Sequence, residues 1–201
     1  MTHLPGRPSP EFAHPGGVGG RRARRGRDHH VDHPVRAWRQ LDTPEIRQGV
    51  TLYLPVSVPG AQLALGDGHC RQGEGEVCGT AVEAAMNTTI VVDVVKGAQL
   101  GWPRVQSDDA IMSTGSTRPL EDAFRASQHD LVTWTSQLTG LDLLDALQLV
   151  SQAGLAPAGN VVDTNYTMVA KLPTAVLNGA TVYDGMHERL AEIGREHLTH
   201  R

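Results

Sequence analysis

Chemically reactive side chains are concentrated in one short segment, residues 66–83. It holds five glycines, two cysteines, one histidine and four carboxylates, namely Asp67, Glu74, Glu76 and Glu83. Glycines on both sides of Asp67 allow a sharp turn, so the side chains of Asp67 and His69 can converge on one point. Carboxylate oxygens and imidazole nitrogens are ligands for Zn²⁺ and other divalent cations. Such a cation polarises a carbonyl group and acidifies a water molecule, while a carboxylate takes and returns the proton. The segment is therefore compatible with metal-assisted hydrolysis.

The same residues allow other interpretations. A glycine-rich hairpin can carry carboxylates that only face solvent, and His69 is then a hydrogen-bonded turn residue. A different chemistry makes Cys78 a nucleophile with His69 as its base, although a free cysteine is most often a small buried strand residue. In a strand starting near Glu76, Cys78 shares a face with that glutamate, and Glu83 faces the other side unless a bulge re-aims it.

The secondary structure that must position these side chains is predicted to change from strands in the first half of the chain to helices and a few strands in the second half. Apolar, β-branched runs separated by turn signals predict strands in the first half, over residues 51–56, 62–65, 77–83, 88–95 and 110–114. A helical stripe after Pro119 predicts a helix that ends before Gly140, and Asp142 can cap a second helix over 143–153. Strands are predicted over 161–162 and 166–172. The predicted fold class is α+β, with a β-sandwich-like N-terminal part followed by a smaller α+β region.

The first 40 residues differ from the rest in composition. Residues 1–40 contain eight arginines, no lysine and three acidic residues, whereas residues 41–201 contain ten basic and nineteen acidic residues. We expect a disordered, basic leader over 1–40, rich in Arg, His, Gly and Pro, then a domain over 41–184 and a charged, helical tail over 185–201. The arginines of residues 21–25 could contact phosphates, but their Gly and Pro neighbours favour a solvated arm, so nucleic acid is not an expected partner.

Composition excludes several classes of protein. No run of about 18 apolar residues exists, so no membrane-spanning helix and no membrane partner is predicted. No apolar stretch follows the N-terminal charges, as a secretory signal would require. Cys70 and Cys78 match no zinc-ribbon spacing. We therefore expect a cytoplasmic protein. Outside the reactive segment, Asp163 and Asn165 are predicted to form turns.

The segment Gly66–Glu83 closely resembles the hallmark of the acetamidase/formamidase family. That hallmark has Gly-Asp-Gly-His, two small residues, and then Gln-Gly-Asp-Gly-Glu-Val-Cys-Gly-Thr-Ala-Ile-Glu. The chain departs from it at four positions, of which only Arg71 is a marked change, the others being Cys70, Glu74 and Val82. Similar stretches around residues 52–61, 113–115 and 163–173 extend the resemblance over roughly Leu41 to Pro173.

The resemblance implies hydrolysis of short linear amides, such as formamide or acetamide, to carboxylate and ammonia. It also implies a homo-oligomer and a divalent metal ion, with zinc the expected identity. By motif position, Asp67 and His69 would be metal ligands. Glu76 and Glu83 would be a further ligand or the general base, with Asp67 counted among the catalytic residues. Asp42 would join the ligands from the family's Gly-Gly-Asn-x-Asp element, and three residues would support them: Gln72, Glu74 and Cys78.

The junction ahead of Leu41 departs from the family pattern. Gly-Gly-Asn should precede Leu41-Asp42, but the chain has Trp38, Arg39 and Gln40. GC-rich codons for Gly-Gly-Asn-Leu-Asp, preceded by a T and missing one C, translate as Trp-Arg-Gln-Leu-Asp. We therefore hypothesise that residues before about 41 are out of frame and that the chain is a C-terminal portion of the family protein. A natural basic extension is the alternative for the leader, and an inactive remnant that binds a cation or nothing is the alternative function.

Overall fold

The described part of the chain forms two antiparallel sheets and three α-helices. The computed structural model describes residues 14–15, 41–56, 63 and 65–199. The predicted leader over 1–40 thus lies outside the described residues, except for a two-residue strand. The mixture of sheets and helices confirms the predicted α+β class. Among the described residues, no helix is both long enough and apolar enough to span a bilayer.

The larger sheet has five strands, which are β2 (Thr51–Tyr53), β5 (Arg104–Gln106), β6 (Ala110–Thr117), β7 (Ala158–Asn160) and β8 (Tyr166–Pro173). Their order in the sheet is β2-β5-β6-β8-β7. β6 and β8 form the longest pair, which runs from Ala110 opposite Pro173 to Thr117 opposite Tyr166. Because neighbouring residues of β6 face opposite sides, Ile111 and Met112 belong to different apolar clusters.

The helices cover one face of this sheet. α1 (Leu120–Thr139) ends at Gly140, and α2 (Leu143–Ala153) is capped by Asp142, whose carboxylate accepts from the backbone of its first turn. Both helices confirm the sequence prediction, as does α3 (Met186–Thr199). On the opposite face, Leu41 is fully buried in the cluster that contains Met112. This packing anchors the segment that carries Asp42.

The smaller sheet has the order β1-β3-β4, with β1 (His14–Pro15), β3 (Gly68–Arg71) and β4 (Val82–Glu83). β3 pairs with β4 so that His69 lies opposite Glu83, and an irregularity in register follows between His69 and Arg71. The reactive segment therefore folds back on itself, and its histidine and last glutamate meet across two strands.

Three strand predictions are wrong. Residues 77–79 form a turn and only Val82–Glu83 is a strand, because Gly75 and Gly79 take positive φ values and turn the chain. Residues 88–95 form no strand, since no other described segment pairs with them, and Ile90 and Val92 are 50% and 66% exposed. The predicted strand at 161–162 lies three residues too late and corresponds to β7. The prediction over 62–65 falls largely outside the described residues.

Candidate metal centre

The turn before β3 directs Asp67 toward His69. Asp67 has φ 62°, a left-handed conformation that costs a non-glycine residue about 1–3 kcal/mol. The next residue must be glycine, because a Cβ at Gly68 would lie 2.8 Å from the carbonyl oxygen of Ala84 and 2.9 Å from Met86. The strained backbone of Asp67 and the tight packing of Gly68 against Ala84 and Met86 together fix the conformation of this turn, and such strain is common at functional sites.

Asp67, His69 and Glu83 form the first cluster of donor atoms. The side chain of His69 is 1% exposed, and its Nε2 lies 3.4 Å from Asp67 Oδ1 and 3.2 Å from Glu83 Oε2. Nε2 has no hydrogen-bond partner among the described residues. Burial by itself would lower the pKa of His69, but the Gln72 acceptor and the charges of Glu83 and Asp67 outweigh it and raise that pKa. A buried ring nitrogen thus points between two carboxylates without bonding to either.

The spacing of these atoms fits one small cation. Tetrahedral zinc with N and O ligands at 2.0–2.2 Å separates neighbouring ligand atoms by about 3.4 Å. The two distances from Nε2 match that separation, and all three donor atoms lie within 4.8 Å of one another. An imidazolium–carboxylate hydrogen bond is instead about 2.7–2.9 Å long. The residues therefore fit a divalent cation better than a direct ion pair.

Gln72 connects this cluster to two other segments. Its Oε1 lies 3.0 Å from His69 Nδ1, and its Nε2 donates to the backbone oxygens of Asp42 at 2.7 Å and Gly159 at 3.1 Å. Gly159 leaves room for this arrangement, since a Cβ there would lie 2.9 Å from the Cβ of Thr43. The loop that carries Asp42, the reactive turn and β7 therefore meet at one buried amide.

A second, more buried cluster surrounds Asn160. The Nδ2 of this fully buried asparagine donates to Glu76 Oε2 at 3.0 Å, to Asp42 Oδ2 at 3.4 Å, and to Asp163 Oδ2. An amide nitrogen carries two hydrogens, so it cannot satisfy three carboxylates at once. A shared proton or a cation must relieve the remaining repulsion. The three carboxylates are themselves close enough to bind one ion.

Strain and backbone contacts hold Glu76 in this cluster. The short 3₁₀ turn over Glu74–Glu76 contains Gly75 at φ 79° and ends with Glu76 at φ 46°. The backbone N–H of Val161 donates to the Gly75 oxygen at 3.0 Å, which fixes the turn against the end of β7. Glu76 is consequently only 8% exposed.

Asp42, Glu76 and Glu83 differ in their ionisation. Burial, reinforced by the charge of Asp163, raises the pKa of Asp42 to about 6. Burial, reinforced by Asp42, raises the pKa of Glu76 to about 7. In contrast, the hydroxyl of Thr80 donates to Glu83 at 2.9 Å and lowers the pKa of that carboxyl. Asp42 and Glu76 can therefore hold a proton near neutral pH, whereas Glu83 stays ionised.

Among the described hydrogen bonds, none joins the expected supporting residues Glu74 and Cys78 to the donor atoms. Glu74 is exposed on the 3₁₀ turn. Cys78 is exposed as well, and its thiol donates to the backbone oxygen of Thr80 at 3.2 Å, so its interpretation as a buried strand residue is wrong. The ring nitrogens of His69 face Gln72 on one side and the two carboxylates on the other. Neither is directed to Cys78 as a catalytic base would be.

Sequence reasoning missed Asn160 and gave Asp163 too small a role. Asn160 Oδ1 accepts from the backbone of Val162 at 3.0 Å and of Asp163 at 3.1 Å, a turn in which Asp163 takes part as predicted. The same turn places the Asp163 carboxylate where it accepts a hydrogen bond from Asn160 Nδ2. The available signal was an asparagine followed three residues later by an aspartate at the end of a strand.

Comparison with known proteins identifies the relationship. Residues 2–138 match the sequence profile of the Acetamidase/Formamidase family. The chain belongs to this family. The match begins ahead of Leu41, within residues that the out-of-frame hypothesis excludes from the family pattern, and that hypothesis stays a prediction about the coding DNA.

Solved structures of family members share the fold. An acetamidase from Yersinia enterocolitica has a TM-score of 0.73 and 42% identity, over 83% of this chain and 50% of its own. An acetamidase from Bacillus halodurans has a TM-score of 0.70 and 28% identity, over 85% of this chain and 57% of its own. A formamidase homologue from Schizosaccharomyces pombe is 44% identical over 57 residues, which are 27% of this chain and 14% of that protein. The chain therefore spans about half the length of the matched acetamidase structures.

Proposed function

We propose that this acetamidase/formamidase family chain hydrolyses short linear amides, such as formamide and acetamide, at a divalent cation. The observation that carries the proposal is the buried, unpartnered Nε2 of His69 between the carboxylates of Asp67 and Glu83. Family membership and the likeness to acetamidases support the reaction class. In this reaction the amide C–N bond breaks, a C–O bond to water forms, and carboxylate and ammonia are released.

The donor set is compatible with zinc. Catalytic zinc sites commonly have three protein ligands, among them histidine nitrogens and carboxylate oxygens, and a fourth position that stays open. Asp67, His69 and Glu83 would hold the ion, while Asp42, Glu76 and Asp163 form the neighbouring cluster. The cation would supply Lewis-acid polarisation of the amide carbonyl and would make a water molecule more acidic.

Glu76 is the proposed proton carrier. A general base works best when its pKa lies near the operating pH, and burial raises the pKa of Glu76 to about 7. Its carboxylate would take a proton from the attacking water and return it to the departing nitrogen. The hydrogen bond from Asn160 holds Glu76 Oε2 in place at 3.0 Å. Glu83, ionised and adjacent to His69, then serves as a ligand rather than as the base.

Ammonia release from formamide and acetamide tests the proposal. We expect activity in the presence of Zn²⁺, together with loss of activity and of bound metal in Asp67→Asn and His69→Ala. The exposed Asp122 on α1 gives a matched control, because Asp122→Asn removes a carboxylate far along the chain from the donor atoms. Full activity in both site variants would overturn the metal-site assignment. A folded, metal-free and inactive protein would favour the remnant interpretation.

The cysteine alternative is tested by Cys78→Ala. The thiol contacts a backbone oxygen, and the nitrogens of His69 face other partners, so the geometry disfavours a Cys–His pair. We expect Cys78→Ala to retain most of its amidase activity. Loss of activity with unchanged metal content would instead assign the nucleophile to Cys78.

Self-association is part of the proposal. Leu143, Leu144 and Leu147 of α2 are 57%, 71% and 49% exposed. Exposed apolar clusters of this kind commonly mark protein–protein contacts. We expect light scattering to show a homo-oligomer that Leu144→Lys weakens. A monomeric wild-type protein would refute this part and leave the chemistry unaffected.

A further inference from the structure

We propose that Gln72 is a positioning residue that fixes the tautomer of His69. In this arrangement Nδ1 carries the proton and the lone pair of Nε2 points between Asp67 and Glu83. The inference rests on the proposed function, because it assigns Nε2 as the atom that binds the cation. Gln72 would thereby leave the lone pair of Nε2 available before a cation binds.

The orientation of the Gln72 amide is fixed by its surroundings. One end of the amide lies 2.7 Å from the backbone oxygen of Asp42 and 3.1 Å from that of Gly159. Both neighbours can only accept hydrogen bonds, so this end must be the NH₂ group, which donates to both. The reversed amide would place its oxygen against two carbonyl oxygens while buried, at a cost of about 1–3 kcal/mol for each unsatisfied group.

The protonation of His69 follows from that orientation. The other end of the amide is its oxygen, 3.0 Å from His69 Nδ1, and an amide oxygen can only accept. Nδ1 must therefore carry the hydrogen. In the neutral ring Nε2 is then the lone-pair nitrogen, and it faces Asp67 and Glu83 at 3.4 and 3.2 Å. A lone pair between two anionic groups is repelled, and a cation placed there converts the repulsion into coordination.

The support behind Gln72 is rigid because it comes from backbone atoms. Asp42 lies beside Leu41, which is anchored in the core, and Gly159 belongs to β7. The tautomer thus depends on the relative placement of three separate segments of the fold. Ligating histidines commonly have such a partner on the second ring nitrogen, and its removal typically weakens metal binding 10- to 100-fold.

The test combines imidazole NMR with zinc titration on the full chain. Long-range ¹⁵N–¹H spectra of the metal-free protein, at a pH where the ring is neutral and with His69→Ala used for assignment, report the tautomer directly. We expect the Nδ1–H form in wild type. In Gln72→Leu we expect both tautomers and a Zn²⁺ affinity lower by 10- to 100-fold. In Gln72→Glu, which keeps an acceptor for Nδ1, we expect the Nδ1–H form to persist.

Gln106→Leu is the matched control. Gln106 is a buried glutamine that accepts from the Tyr53 hydroxyl at 2.8 Å, and its loss should lower thermal stability but leave the His69 tautomer and zinc affinity unchanged. An Nε2–H ring in wild type would overturn the inference, whether or not zinc binds. So would unchanged zinc affinity and tautomer in folded Gln72→Leu. An Nδ1–H ring that is lost in Gln72→Leu, in a protein that binds no zinc, would support the role of Gln72 and refute the proposed metal-dependent function.

Discussion

Replacing Glu76 by glutamine should stabilise the metal-free protein at alkaline pH. The carboxyl of Glu76 has a pKa of about 7 in the fold against 4.5 for an ordinary glutamate. Because the folded-state pKa is raised, the fold holds the protonated form more tightly than the unfolded chain does. This contribution is fully present below about pH 4.5 and is lost as the pH rises through about 7. At pH 8 the ionised Glu76 therefore opposes folding.

The size of the effect follows from the same pKa values. A shift from 4.5 to about 7 corresponds to about 3 kcal/mol at 1.36 kcal/mol per pKa unit. Asp42 shares the repulsion, so we expect Glu76→Gln to gain about 2–3 kcal/mol at pH 8 and little at pH 4.5. The glutamine oxygen can still accept from Asn160. For a chain of this length the gain corresponds to a Tm higher by roughly 4–12 °C.

Thermal unfolding at pH 4.5 and pH 8, with chelator and with excess Zn²⁺, measures this effect. Glu83→Gln is the matched control, because the pKa of Glu83 is lowered and its removal should give no gain at pH 8. Zinc should stabilise wild type more at pH 8 than at pH 5, since it competes with protons at its proposed ligand His69, whose pKa is raised. A Glu76→Gln protein less stable than wild type at pH 8 without metal would refute the electrostatic reasoning.

Three further substitutions probe the supports of the site and the core. Asn160→Leu removes the amide that three carboxylates share, and we expect a loss of about 2 kcal/mol or more in urea unfolding and a higher apparent pKa of the cluster. Gly68→Ala places a Cβ 2.8 Å from the Ala84 oxygen, so zinc affinity by calorimetry should fall while the far-UV spectrum stays unchanged. Arg104→Met leaves Asp130 buried without its partner at 2.8 Å, and such a loss typically costs about 3–5 kcal/mol in denaturant unfolding.

The secondary-structure elements could be predicted from the sequence where local signals and tertiary structure agree. Pro119 and Gly140 bracket α1, Asp142 caps α2, and the run 166–172 forms β8. These elements have strong capping or periodicity signals, and α1 and α2 bury apolar faces against the sheet that contains β8. The α+β class could be predicted from them without knowledge of the long-range pairing.

The strand predictions are wrong where a strand lacks a pairing partner or where a glycine with positive φ changes the direction of the chain. Residues 88–95 are β-branched, but β propensity describes a fit to a paired surface and does not create the pairing. Residues 77–81 follow two positive-φ positions, Gly75 and Glu76, and leave the strand direction. The local signal links Asn160 only to Asp163, because its other two carboxylate partners lie 84 and 118 positions away in sequence. Only the folded chain shows that Asp42, Glu76 and Asp163 converge on it.

In the proposed reaction the two clusters would have different roles, one as cation ligands and the other as proton carrier. A cation ligand must be ionised, and the partly exposed Glu83 is kept so by the Thr80 hydroxyl. A proton carrier must exchange its proton near neutral pH, and burial among like charges gives Glu76 that property. If the buried cluster bound the cation instead, Asp42 and Glu76 would lose their raised pKa values, and Glu76 could no longer exchange a proton near pH 7. This distinction is measurable, because Glu83→Gln should weaken zinc binding more than Glu76→Gln does, whereas Glu76→Gln should abolish the ionisation near pH 7 in the rate profile.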